Sequence, residues 1–204
     1  MSAPSRTKRR WLQFSLRTFL VLFALLGIGL GRHVERARRQ KLAVAAWQQL
    51  GAEIGCRHQL TRTKFGTTYF DNRAALPGPA AAHRVLGSEH FETVIRLRLI
   101  TSKQISEQDF TALEGLPDLR TLEIYGRFQL TDESVSHLRR LARLERLVLA
   151  NVDGESDPSR LSDACLDDLA GLESLRELFL LDQAFTDADV ARLRRALPRC
   201  NIAH

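Results

Sequence analysis

Leucine spacing constrains this chain more than any other feature of it. From Leu130 to Ala150 the apolar residues fall at Leu130, Val135, Leu138, Leu141, Leu144, Leu147 and Leu149. The early spacing of three predicts one face of a short helix, and the closing L-x-L alternation predicts a short strand. The same template runs from Ile105 through Phe110, Leu113, Leu116, Leu119, Leu122 and Ile124, and from Leu161 through Leu166, Leu169, Leu172, Leu175, Leu178 and Leu180. A truncated copy opens at Phe185 with Val190 and Leu193, and Val94–Leu99 supplies a strand alone. Each full helix start repeats one pattern: Ser106, Thr131, Ser162 and Thr186 precede Glu107, Asp132, Asp163 and Asp187. A hydroxyl there caps backbone N–H groups, and a carboxylate in the first turn suits the helix dipole.

Copy starts at Ile105, Leu130, Leu161 and Phe185 lie 25, 31 and 24 residues apart by subtraction. Leucines recurring at such a period are the signature of a leucine-rich repeat. One strand with one short helix cannot bury its own apolar edge, so each copy needs neighbours. The expected fold is therefore α/β: a short leucine-rich-repeat solenoid over residues 91–204, with a parallel sheet on the concave side and helices outside. The segments 105–124, 130–149 and 161–180 resemble leucine-rich repeats of the ribonuclease-inhibitor type. They are similar above all to those of small bacterial membrane-anchored repeat proteins. The ending LRRALPRCNI resembles the terminal cap of that group, and the leader at 9–31 and the joint at 85–99 are similar to its corresponding segments. The resemblance implies an architecture rather than an activity.

The leader points to a membrane. Residues 1–10 form a basic arm, and an anchor helix is expected over 11–31, apolar from Leu12 to Leu30 apart from Arg17 and a few small polar residues. Nineteen residues at about 1.5 Å each span roughly 28 Å, close to a bilayer's hydrocarbon core. Arg17, near the N-terminal end, can snorkel to the headgroups, and Trp11 suits the interface. Gly29 and Gly31 also fit the small residues of a signal-peptide cleavage site, so a cleaved leader is the alternative to an uncleaved single-pass anchor, with a buried or interfacial helix as a third reading. Lys and Arg flank both sides in near balance. The simplest insertion, as a signal-anchor, leaves the N-terminus inside and the repeats outside the cytoplasm.

Residues 32–51 are strong helix formers and form an expected helical stem, ended by Gly51. Its cations suit either anionic headgroups or plain solvation. Residues 52–90 are expected to cap the open end of the repeats. Within them Ala52–Ile54 and Thr67–Phe70 are read as an irregular hairpin, 76–79 as a turn, and 80–86 as a helical turn or two. Residues 151–160 lengthen one copy by a surface loop that lacks the EF-hand ligand order.

Charge narrows the functions available. Residues 1–60 hold eleven Lys and Arg against two acids, and the rest hold nineteen against twenty-two, giving balances of +9 and −3. The basic excess belongs to the leader, which argues against nucleic acid as a partner of the repeats. The six histidines show no metal-ligand spacing, and no nucleophile elbow, phosphate loop or dinucleotide fingerprint occurs. Asp167 and Asp168 are adjacent and point apart on a helix. No cofactor, metal or catalysis is expected. Cys165 shares its repeat position with Asp109, Ser134 and Asp189, which predicts partial exposure, whereas Cys200 is expected as a small buried thiol. A Cys165–Cys200 disulfide is open if the domain is exported.

What remains is the surface between the inward leucines of each L-x-L. Aligning the copies gives lateral rows Arg96-Thr121-Arg146-Glu177, Arg98-Glu123-Val148-Phe179 and Ile100-Tyr125-Ala150-Leu181. Arg98 is expected to pair with Glu123, and Arg146 with Glu177. Arg96, Arg98, Tyr125, Arg146, Val148, Phe179 and Leu181 form the candidate partner-binding face, with the apolar members at its centre. The expected function is a membrane-tethered protein-interaction module. The alternatives are a self-associating envelope component and an accessory that positions an enzyme.

Overall fold

The computed structural model describes residues 16–62, 68–71, 74, 75, 77, 92–128, 130–151, 162–181 and 185–204. The basic arm, Trp11, the helical turns expected at 80–86 and most of the 151–160 insertion lie outside these residues. The chain divides into two units, Met1–Glu35 and Arg36–His204.

Helix α1 spans Leu16–Leu50. In the first unit its side chains face outwards all round: Phe19, Phe23, Leu26 and Leu30 are each more than half exposed. With a mean hydropathy of 1.5 over its most apolar stretch, the helix is long and apolar enough to cross a membrane.

In the second unit the remainder of α1 is a core element. Ala43 and Trp47, four residues apart and so on one face, are buried, and Ala37 is buried on the adjoining side. The Trp47 ring meets Phe110 edge-on at 6.5 Å, and Phe110 meets Phe128 at 6.1 Å. Close approach here depends on Gly115, where a Cβ would stand 2.7 Å from the Arg39 carbonyl oxygen. Gly51, at φ +96, ends the helix. Its N–H donates to Gln48 O and that of Ala52 to Trp47 O, both at 3.0 Å, so the last carbonyls are satisfied in a Schellman motif. Lys103 Nζ adds a cation at Gln49 O, 3.1 Å away.

Beyond α1, strands and helices alternate: β4 (Val94–Ile105), α2 (Glu107–Ala112), β5 (Thr121–Phe128), α3 (Asp132–Leu138), β6 (Arg146–Asn151), α4 (Asp163–Ala170), β7 (Glu177–Leu181), α5 (Asp187–Ala196) and β8 (Asn201–Ala203). Strands β4 to β8 pair in chain order and in parallel, and β1 (Glu53–Cys56) closes the other edge antiparallel to β4. The result is a mixed α/β unit with a mostly parallel six-stranded sheet. Its register stacks Leu97, Leu122, Leu147, Leu178 and Ile202 in one ladder and Leu99, Ile124, Leu149 and Leu180 in another. All of these are buried, as are Leu116, Leu119, Leu141, Leu144, Leu172 and Leu175 in the turns that feed the strands. Backbone bonds link successive strand–helix segments: Arg120 N–H donates to Ile95 O, Glu145 to Arg120, Arg176 to Glu145 and Asn201 to Arg176, at 2.7–2.8 Å.

The four hydroxyl residues stand at helix starts. Thr131 Oγ1 accepts from Ser134 N at 3.2 Å, Ser162 Oγ from Ala164 N at 3.1 Å, and Thr186 Oγ1 from Asp189 N at 3.3 Å. At Ser106 the reciprocal half dominates, with its N–H donating to Asp109 Oδ2 at 2.8 Å.

Three expectations need correction. The hairpin between Ala52–Ile54 and Thr67–Phe70 is not formed. Glu53–Cys56 instead joins the main sheet, Ile54 opposite Leu97, and the partner of β3 (Thr68–Phe70) is β2 (Leu60–Arg62). An apolar strand beside the sheet gains an edge that a solitary hairpin cannot offer. Cys165 is wholly buried rather than partly exposed, while Cys200 is only half-buried.

Candidate interaction surface

The residues between the stacked leucines point to the opposite side of the sheet, and the register aligns them. Arg96, Thr121, Arg146, Glu177 and Asn201 form one row across β4 to β8. Arg98, Glu123, Val148, Phe179 and Ala203 form the next, and Ile100, Tyr125, Ala150 and Leu181 the third. On the flank, β1 sets Gly55 opposite Arg96 and Glu53 opposite Arg98.

Glu123 organises the charged side of this face. It is 8% exposed, and three guanidinium groups surround it: Arg96 Nη2 at 3.5 Å, Arg98 Nε at 3.5 Å and Arg146 Nε at 3.3 Å. A buried carboxylate is tolerable only when paired, and this one is over-supplied. Arg98 Nε and Arg146 Nε make no aligned hydrogen bond, so their attraction to Glu123 is ionic. Arg146 also reaches Glu177 at 2.6 Å and lies over the Phe179 ring, 5.5 Å from its centroid, within range of cation–π attraction. Both ion pairs expected from the alignment are present. The role of Glu123 was missed in sequence because pairwise alignment shows one neighbour at a time.

The third row is the apolar one. Ile100 and Leu181 at its ends are 65% and 53% exposed, and Tyr125 between them is half-buried. Ile100 belongs to the exposed patch although the candidate set omitted it; its place two residues after Arg98 was the available signal. Val148 corrects the opposite way. At 3% exposure it is not part of an open patch, a short β-branched side chain set between the longer Glu123 and Phe179 in its row. Of the seven candidates, Arg96, Arg98, Tyr125, Arg146, Phe179 and Leu181 thus share one accessible face, and Val148 lies beneath it.

On the helix side, Thr111 Oγ1 stands 3.1 Å from His137 Nε2, and His137 Nδ1 stands 2.7 Å from Glu114 Oε1. Arg140 holds the other Glu114 oxygen at 3.1 Å. The Thr111 hydroxyl is within bonding distance of Glu107 O in its own helix at 3.3 Å, so the cluster ties α2 to α3. Among the described residues no group of three or more His, Cys, Asp or Glu is placed to hold a metal ion. Burial pushes the Cys56 thiol up to about 11 and that of Cys165 up to about 12, away from thiolate chemistry at neutral pH.

No family model matches this chain, and no curated protein matches it.

Proposed function

We propose that this protein is a membrane-tethered leucine-rich-repeat protein that binds another protein through the exposed side of its sheet, without catalysis. The observation that carries this reading is the register-aligned row Ile100-Tyr125-Ala150-Leu181, whose ends expose large apolar side chains beside the arginine–glutamate cluster. Large apolar side chains left in water next to aromatic and arginine groups have the composition of binding centres. The equal treatment of successive strand–helix copies supports the repeat reading, since each copy meets only its neighbours. The exposed apolar stretch of α1 supports the tether, and a signal-anchor insertion puts the globular unit outside the cytoplasm.

The test is a co-purification from membranes with the Tyr125→Ala, Phe179→Ala double variant. Loss of the partner with unchanged thermal unfolding supports the reading. Retention of every partner at wild-type level refutes it. Protease digestion of a C-terminal tag in cells with a permeable outer layer tests the orientation, and protection would reverse it.

A further inference from the structure

We propose that the occupant of this face is a second copy of the same chain, docked face to face about a two-fold axis parallel to the strands. The inference rests on the reading of the sheet face as an interaction surface and names its partner. The argument is self-complementarity. The sheet order β1-β4-β5-β6-β7-β8 has its midline between β5 and β6. A two-fold axis along that midline lays β4 on β7 of the second copy, and β5 on its β6.

Row by row, the chemistry then matches. In the apolar row Ile100 meets Leu181 of the second copy at both ends, so the two most exposed apolar side chains of the face cover each other. Between them Tyr125 meets Ala150, a large side chain opposite a small one. In the row on the far side, Arg96 meets Glu177 of the second copy, and this ion pair forms twice. In the middle row Arg98 approaches the Phe179 ring of the second copy, the type of contact that Arg146 makes within the chain. Buried Glu123 stays with its own arginines and faces Val148. A two-fold axis across the strands would instead lay Ile100 and Leu181 on the row of Arg96 and Glu177, burying charge against hydrocarbon. Only the axis along the strands satisfies all three rows. Aligned packing of two sheets at about 10 Å is an ordinary geometry.

Size sets the conditions under which this contact forms. The five gaps of about 4.8 Å between six strands, and the four steps of about 3.3 Å between the first row and the third, enclose about 300 Å² per copy. The total of about 600 Å² falls below the roughly 1,200–2,000 Å² of stable complexes between free proteins. Copies held in one membrane meet at a far higher effective concentration. Association is therefore a property of the tethered chain and weak once the chain is dispersed.

Cysteine pairing in the full-length chain tests this. Ile100→Cys and Leu181→Cys chains, each with Cys200→Ser, are reconstituted into vesicles, each alone and both together in one membrane. They are then treated with a short bismaleimide that bridges thiols on sheets about 10 Å apart, a gap wider than a disulfide spans. The two-fold predicts thiol-cross-linked dimers in the mixture and few in either single variant, since each position meets the other and not itself. The Arg96→Glu substitution lowers the yield in the mixture several-fold, and adding Glu177→Arg restores it. Equal cross-linking of the single variants, or a mixture no better than an Arg195→Cys control on the outer helices, overturns the proposal. If cross-linking fails while a different protein still needs Tyr125 and Phe179 to co-purify, the second copy is rejected and the interaction surface stands.

Discussion

Replacing Glu123 by Gln isolates the electrostatics of the sheet face, because the side chain keeps its shape and loses only its charge. Glu123 is 8% exposed and sits within 3.5 Å of Arg96, Arg98 and Arg146. Breaking a buried ion pair by removing one partner costs about 3–5 kcal/mol. The three arginine side chains are between a third and two-fifths exposed, so water recovers part of that loss. Arg146 also keeps Glu177. The expected cost is therefore about 2 kcal/mol, which for a chain of this size is about 4–8 °C in melting temperature. The assay is thermal unfolding of the full chain in one detergent, followed by far-UV circular dichroism. Arg98→Gln in parallel should cost under about 1 kcal/mol, since Glu123 keeps two cations and Arg98 can reach water. A melting temperature for Glu123→Gln within about 1 °C of wild type would refute the hub, as would an Arg98→Gln loss equal to it.

Other outcomes follow from the same packing. Leu147→Ala, in the middle of the buried ladder, should cost about 3–5 kcal/mol by denaturant titration, and a loss under 1 kcal/mol would contradict the packed interior. Gly115→Ala drives a Cβ to 2.7 Å from the Arg39 carbonyl; a cost of about 1–3 kcal/mol is expected, with faster proteolysis near Leu50. Removing the Thr131 cap with Thr131→Ala should cost about 1 kcal/mol. Thiol labelling at pH 8 should modify Cys200 first and leave Cys56 and Cys165 untouched until the protein unfolds. The raised Cys165 value also has a sign: above the unfolded thiol range near 9 the unfolded chain loses a proton that the folded chain keeps. Cys165 should therefore contribute a fall of about 1.4 kcal/mol per pH unit from there towards 12, beside a fall of the same sign from Cys56 up to about 11, and Cys165→Ser should make the slope shallower.

The parts of the fold visible in sequence are those set by short-range periods. Leu147 and Leu149 belong to one side of a strand because alternation forces it, and Thr131 and Thr186 mark helix starts because the first N–H groups need acceptors. Long-range pairing was legible only between segments that repeat one pattern, as in the row Arg96-Thr121-Arg146-Glu177. Nothing local says that Ile54 lies opposite Leu97 rather than in a hairpin with its near neighbours. The misreading of Cys165 has a specific cause. Asp109, Ser134 and Asp189 are polar at that position because they bond back to the helix cap: Asp109 to Ser106, Ser134 to Thr131 and Asp189 to Thr186. Their polarity reported capping as well as exposure, since Asp109 and Asp189 are half-buried and Ser134 is buried, and a cysteine in the same slot is buried. Val148 shows the complementary limit: the row was legible, but the depth of one residue depends on the side chains either side of it.

In-cell photocrosslinking tests the interaction surface most directly. A benzophenone amino acid would be placed in turn at Ile100, Tyr125 and Leu181 on the sheet face, and at Glu173 and Arg195 as exposed controls elsewhere on the unit. A discrete adduct from the three sheet positions and none from the controls is the predicted result, at twice the chain's mass if the partner is a second copy. No adduct, or equal adducts from Glu173 and Arg195, would contradict a binding role for this face.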